Sequence, residues 1–208
     1  MKLQRDVIIR TALDLLNEVG MDGLTTRRLA AKLGVQSPAL YWHFKNKRAL
    51  FDAMSEAMMI EAGMDRPVAA GQDWRDWVAR DARQFRRTLL AYRDGARIHA
   101  GTRPTPAGFA GIESETAALC ALGFSTADAL RTQIAVGRYV LGWVLEEQAD
   151  AADAAERTDE GERMAASDLA FYPLLAEGIE ALKRDDPDTG FEFGLGLMLD
   201  GIAARLAR

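Results

Sequence analysis

The chain is poor in the residues that cross-link, ligate metals or cross membranes. Its one cysteine, Cys120, cannot close an internal disulfide and has no neighbour at metal-ligand spacing, so it is expected to be a buried apolar thiol. Only two histidines are present, His43 and His99, and no nucleophile, base and orienting group can be nominated together, which speaks against an enzyme. No apolar run reaches the roughly eighteen residues of a membrane span, and no charged-then-apolar leader opens the chain. A cytoplasmic protein with no membrane partner is expected. Neither a strand pattern nor an internal repeat is visible, which leaves an all-α reading.

Apolar residues make up 49 % and charged residues 27 % of the 208, enough for one large helical body or a small domain joined to a bigger one. The net charge of −5 is unevenly spread: the first fifty residues hold nine basic and four acidic side chains, the other 158 hold 17 and 27. A basic head on an acidic body suits a protein whose head alone touches a polyanion.

Residues 25–47, TTRRLAAKLGVQSPALYWHFKNK, concentrate that positive charge. Between positions 21 and 50, six basic side chains (Arg27, Arg28, Lys32, Lys45, Lys47 and Arg48) face one acid, Asp22. Thr25 or Thr26 can cap a helix whose Leu29, Ala30 and Leu33 share a face, and Gly34 can end it with a positive φ. Ser37-Pro38 supplies a capping oxygen and a first-position proline for a second helix, Pro38 to about His43. Leu40 and Phe44 read as its core contacts. Tyr41, Trp42 and His43 either pack the small head or face outward. A short helix entered through a glycine turn and flanked by cations matches a recognition helix in the major groove with phosphate contacts around it.

Around this unit the spacing predicts about ten helices. Residues 5–19 form one that stops at Gly20. Residues 47 to about 62 form another, opened by Asn46, whose Leu50, Phe51, Met54 and Met58 bury it on more than one side and join head to body. Residues 64–72 read as a loop, 73–93 as a long amphipathic helix and 94–100 as a helical turn. The two prolines and the glycine of residues 101–106 make that run irregular. Helices over 110–122, over 125 to about 148 with Ser125 and Asp128 as a capping pair, over 167 to about 183 and over 189–206 complete the set. Residues 149–166, six acids and two arginines among alanines, read as a mobile loop or a poorly ordered helix end because they have little to bury. Gly190, Gly194, Gly196 and Gly201 each cost the last helix about 1 kcal/mol against alanine, a cost tolerated where two backbones approach closely. The expected division is a DNA-binding head over residues 1–46 and a ligand-binding and dimerisation body over 47–208.

LTTRRLAAKLGV followed by PALYWHFKNKRAL is similar to the DNA-binding segment of the TetR family of bacterial transcription regulators, in which Leu-Tyr-Trp-His and then Lys-Asn-Lys is a hallmark. Leu15 to Glu18, Phe85-Arg86-Arg87 to Gly95, His99 to Pro104, and Leu141-Gly142 with Val144-Leu145-Glu146 extend the resemblance to about residue 148. The resemblance implies an all-α homodimeric repressor, with an N-terminal three-helix helix-turn-helix domain and a larger C-terminal helical domain. It would bind a palindromic operator, associated with the nucleoid when bound, and be released by a small molecule. Arg27, Tyr41, Trp42, His43 and Lys47 would contact bases or phosphates, with Thr26, Ser37, Pro38 and Ala39 beside them. Ser37 replaces a glutamine and Ala39 a threonine of the family pattern, so a related but different operator is expected. The implied dimer is a four-helix bundle of the helix around Ile134, Tyr139, Leu141 and Val144 and the last helix, with Phe191, Leu195, Leu197, Met198, Ile202 and Leu206. An ordinary intramolecular core is the other reading of those residues. A two-fold dimer would read half-sites about 34 to 36 Å apart.

For the inducer, the resemblance points to Gly63, Asp81, Phe85, His99, Thr102, Arg103, Pro104, Ile112, Glu115, Leu130 and Gln133. It also implies a Mg²⁺ ion carried by the inducer near His99 and the partner subunit's Glu146. One neutral imidazole with oxygens and waters suits that ion, although a lone histidine is more often a packed side chain. The pattern departs where Gly63, Asp81 and Glu115 replace a histidine, an asparagine and a glutamine, where Gln133 replaces an isoleucine and where Arg138 replaces a histidine. An ionised carboxylate accepts hydrogen bonds and donates none. The inducer is therefore expected to be a tetracycline-like or other polycyclic or aromatic compound, with an amine to meet the carboxylates, with or without Mg²⁺ and with no other cofactor. The alternative is a DNA-binding regulator controlled by a protein partner or acting without a small molecule.

Overall fold

The computed structural model describes residues 3–63, 73–156, 169 and 171–207, and these contain ten helices and no strand. They fall into two compact units, Met1–Gln148 and Ala149–Arg208. The first opens with α1 (Arg5–Gly23), which buries Ile8, Ala12, Leu13, Leu15 and Leu16. Its helical path breaks at Gly20, as expected, where φ is 70° and ψ is 176°. A side chain there would also strike a neighbour, because a Cβ would lie 2.8 Å from Asp94 Oδ2.

The helix-turn-helix follows. Thr25, rather than Thr26, caps α2 (Thr26–Lys32), its Oγ1 accepting from the Arg28 amide at 3.2 Å. Gly34 turns the chain with φ 67°. The second helix, α3 (Pro38–Tyr41), is shorter than its sequence suggested. Trp42 and His43 leave it through a tight turn in which Leu40 O accepts from both His43 N (3.0 Å) and Phe44 N (2.9 Å). Ser37 does not cap it. Its own φ and ψ of −51° and −38° are already helical, so its carbonyl, not its hydroxyl, serves the turn by accepting from Leu40 N at 3.1 Å. Asn46 does cap α4 (Lys47–Glu61), accepting from Ala49 N at 2.8 Å.

The α4 helix packs against α1, α5 (Trp74–Leu90) and α6 (Gly95–His99), so one rod runs from the head into the body. Asp73 caps α5 through bonds from Arg75 N (2.7 Å) and Asp76 N (3.2 Å). Two expectations about helix limits are corrected further on. Pro106 is not irregular but is the first residue of α7 (Pro106–Ala121), where its missing N–H costs nothing and Thr105 is the cap. And α8 (Thr126–Glu156) continues well past Gln148, because the exposed alanines of residues 149–154 sustain a helix on propensity without burial. The expected loop over 64–72, Ser167 and the rest of the acidic stretch, 157–168, lie outside the described residues. Cys120 is half-buried rather than buried, with its Sγ 3.9 Å from Thr126 Oγ1.

In the second unit, α9 (Pro173–Leu182) buries none of its residues, and Leu174, Leu175 and Leu182 stand exposed. The last helix, α10 (Thr189–Leu206), has two apolar faces. Phe191, Leu195 and Leu199 are buried within the chain, while Phe193 and Leu197 remain 69 % and 58 % exposed.

Candidate functional site

In the head, Leu29, Leu40, Phe44 and Leu50 are buried, and that small core fixes which side chains must face out. Trp42 is 90 % exposed and Tyr41 is also exposed, so neither packs the head. A bare indole at the end of a helix-turn-helix is costly to leave against water and is what a groove-facing contact requires. Arg27, Pro38, Lys45 and Lys47 are exposed beside it; Thr26, Ser37, Ala39 and His43 are half-buried. The Lys47 ammonium lies 5.1 Å from the centre of the Phe51 ring, and Arg28 donates to Gly23 O at 3.2 Å. Neither Arg27 nor Lys45 has an ion-pair partner among the described residues, so both cations stand at this face with their donors uncommitted.

The head is tied to α6 by charge-assisted bonds. Arg97 reaches Asp22 Oδ2 at 3.0 Å and Asp22 Oδ1 at 3.1 Å, and also Asp94 Oδ1 at 3.1 Å. Asp94, held at a left-handed φ of 57°, accepts from Met21 N at 2.7 Å. Arg93 N donates to Asn17 Oδ1 at 2.9 Å, and its guanidinium donates to Glu18 O at 3.3 Å. The Arg97 guanidinium holds the Asp22 carboxyl below its ordinary range.

The other end of α6 carries His99. Its Nδ1 sits 2.8 Å from Ser55 Oγ of α4, and its ring stacks edge-on against Phe85 with centroids 5.0 Å apart. Burial pushes the imidazole below its usual value and so favours the neutral form. Thr102 Oγ1 donates to His99 O at 2.7 Å, which orders the turn behind it.

Beyond Phe85 lies a cavity of about 70 Å³. Helix α5 lines it with Trp77, Val78, Asp81, Ala82 and Phe85. Glu115 and Leu119 come from α7, and Thr132, Gln133, Val136 and Gly137 from α8. Burial pushes Asp81 up to about 6 against the pull of Arg80, and burial with the neighbouring Asp81 pushes Glu115 up to about 7. Gln133 Nε2 donates to Thr116 Oγ1 at 3.0 Å, and Thr116 Oγ1 in turn donates to Ile112 O at 2.7 Å.

Four residues expected at the inducer, Asp81, Phe85, Glu115 and Gln133, therefore share one cavity, with His99 joined through Phe85. The others stand apart from it in the single chain. Gly63 ends α4 with φ 71°, Ile112 lies one turn before Glu115, and Leu130 and Pro104 are exposed. Arg103 is exposed too, its amide 3.4 Å from Asp52 Oδ1, and Glu146 is exposed on α8. Sequence reasoning missed Ser55 and Thr132. The available signal was a hydroxyl within an otherwise apolar helical face, at Ser55 among methionines and at Thr132 between Ala129 and Val136.

An outward-facing basic helix-turn-helix, bonded through one short helix to a cavity in a helical body, defines a ligand-gated DNA-binding regulator. Two family models match the chain, "Bacterial regulatory proteins, tetR family" over residues 8–54 and "Tetracyclin repressor-like, C-terminal domain" over residues 66–206. The tetracycline repressor protein class A from transposon 1721 of Escherichia coli is 50 % identical, with 98 % of this chain and 92 % of that protein covered. The solved TetR of Acinetobacter baumannii AYE is 43 % identical, with 99 % of each chain covered and a TM-score of 0.76. TetR(class A) in complex with 5a,6-anhydrotetracycline and magnesium is 42 % identical, with 97 % and 99 % covered and a TM-score of 0.74. The chain belongs to the TetR family and is a ligand-responsive transcriptional repressor.

Proposed function

We propose that the chain, as a homodimer in the cytoplasm, occupies a palindromic operator through two copies of the head, residues 1–46, and leaves it when a tetracycline-like inducer enters the body. It works by shifting a binding equilibrium and turns nothing over. The observation that carries this reading is α6, which touches the Phe85–His99 pair at one end and the head at the other. A ligand that displaces α6 acts on the head through Arg97 and Asp94 and also through α4, bonded to it at Ser55. Release follows only if the ligand prefers the displaced arrangement, since equal affinity for both would shift nothing. Arg27, Tyr41, Trp42, His43 and Lys47 take the bases and phosphates, with Thr26, Ser37, Pro38 and Ala39 lining the contact.

Two faces support the dimer. Phe193 and Leu197 on α10 and Ile134 on α8 are exposed in the single chain, and a Cβ added at Gly196, Gly201 or Gly142 would meet no atom within 4 Å. Apolar side chains beside bare backbone suit a close helix–helix interface. Val144, Phe191 and Leu195, also assigned to the bundle, are buried in the single chain.

The residues present fit a Mg²⁺ ion delivered with the inducer. In the tautomer whose Nδ1–H donates to Ser55 Oγ, neutral His99 would offer the Nε2 lone pair as one ligand, and the partner subunit's Glu146 and waters would complete a hard-oxygen set. Such an ion would supply a positive centre joining His99 to oxygens of the inducer. A regulator without a small molecule is disfavoured, because it gives the cavity and its link to the head no use.

The test is electrophoretic retardation of a duplex carrying the palindrome that flanks the protein's own gene. Retardation relieved by anhydrotetracycline with Mg²⁺ supports the whole reading. Retardation that no tetracycline relieves removes the inducer class, and no retardation of such a duplex removes operator binding.

A further inference from the structure

Four polar side chains line the cavity, two carboxyls, an amide and a hydroxyl, and each offers an acceptor oxygen. Asp81 and Glu115 make no hydrogen bond or ion pair among the described residues. Gln133 uses its amide N–H toward Thr116, which leaves its Oε1 free. Thr132 is only 6 % exposed, lines the cavity, and has no partner for its hydroxyl among the described residues. Thr132 is buried, where a polar group is seldom left unsatisfied, and the half-buried Asp81 and Glu115 are withdrawn from water far enough that their charged forms are disfavoured without a partner. The missing partner must be rich in donors. Trp77 and Phe85 beside these acceptors provide apolar and aromatic wall, which favours a cation attached to a ring.

We propose that this cavity selects an ammonium group, so that the inducer carries a protonated amine held between Asp81 and Glu115, with Thr132 and Gln133 completing its hydrogen bonds. This rests on reading the cavity as the inducer site and names the chemistry that site demands. The charges around the pair are few. Arg80 on α5 acts on Asp81, α7 brings Glu115 itself, and α8 brings the uncharged Thr132 and Gln133. His99 on α6 approaches through the Phe85 ring, and burial favours its neutral form. The pair is thus an anionic site at slightly alkaline pH and a neutral one in mild acid.

The test is calorimetric titration of the full-length protein with benzylammonium and, as its uncharged counterpart, benzyl alcohol, at about pH 8 and about pH 5, on either side of the raised carboxyl values. The charged probe is expected to bind about tenfold more tightly than the alcohol at the higher pH and to lose that preference at the lower. It should also lose it in Asp81→Asn/Glu115→Gln, while the alcohol binds that variant no worse. Equal binding of the two probes at the higher pH, a preference that survives in the double variant, or no binding of benzylammonium overturns the proposal. The pH arm needs no variant, and the single substitutions replace the double one if it does not fold. Release of operator by a tetracycline is measured separately, so failure of the inducer class and failure of amine selection are distinguishable.

Discussion

At the scale of single residues, exposure separates contact from packing. Arg27 has its guanidinium free, so Arg27→Ala is expected to weaken binding to the best operator by about 1 to 3 kcal/mol and to relax preference at one base pair, read by fluorescence anisotropy on an operator series. Trp42→Ala should lower DNA affinity while changing unfolding free energy by no more than about 0.5 kcal/mol, because the indole stands in solvent. A large loss of stability in urea would mean that Trp42 holds the head together. The two cavity carboxyls make the opposite forecast for stability. Both have values raised by folding, so the stability tied to them is full in acid and falls as pH rises through about 6 for Asp81 and about 7 for Glu115. Asp81→Asn or Glu115→Gln should therefore stabilise the ligand-free protein at about pH 8 by roughly 1 to 3 kcal/mol and bring no gain near pH 4, as followed by urea unfolding. No gain in alkali would show that water or ligand already satisfies them. The identities of Asp81, Glu115 and Gln133 were legible in the sequence as departures from the family pattern. Thr132 was not, because a threonine inside a helix is unremarkable until its hydroxyl is found without a partner.

At the scale of elements, α6 is five residues long, and Arg97 on it with Asp94 and Arg93 just before it makes the bonds between head and body described above. Arg97→Ala removes the link to Asp22 while leaving His99, Phe85 and the cavity in place. Inducer affinity measured calorimetrically should stay within about twofold, whereas the inducer concentration needed to free operator should rise by tenfold or so. If both change together, Arg97 supports the ligand site rather than its coupling. Most elements were predictable because their starts and stops are local: Asn46, Thr25 and Ser125 cap as their positions suggest, and Gly20 and Gly34 turn with positive φ. The misses were local too. Ser37 could serve the turn with either of two oxygens, and Pro106 could break a helix or begin one, a choice made by Thr105 taking the cap.

At the scale of the whole molecule, the single chain leaves apolar faces on α8, α9 and α10 in water. Leu197→Glu, with Phe193→Asp if one change is insufficient, should convert the dimer into monomers by multi-angle light scattering and abolish high-affinity operator binding, with far-ultraviolet helicity kept. Both positions are exposed in the single chain, so a charge there costs the fold itself little. A variant that remains dimeric places the interface elsewhere. The charge arrangement acts at this same scale. A basic head and an acidic body direct the polyanion to one end, and that was already present in the order of residues.

The chain by itself determined its helices, its basic end and its family, because each follows from neighbours within a few turns: capping oxygens, apolar spacing, and cations clustered within thirty residues. Tertiary structure alone decided that Arg97 meets Asp22, that Ser55 holds His99, and that Thr132 joins Asp81 and Glu115 around one cavity. Those contacts join residues from 17 to 75 positions apart. They depend on how helices cross, and helix crossing is set by the packing of whole faces that no local pattern encodes.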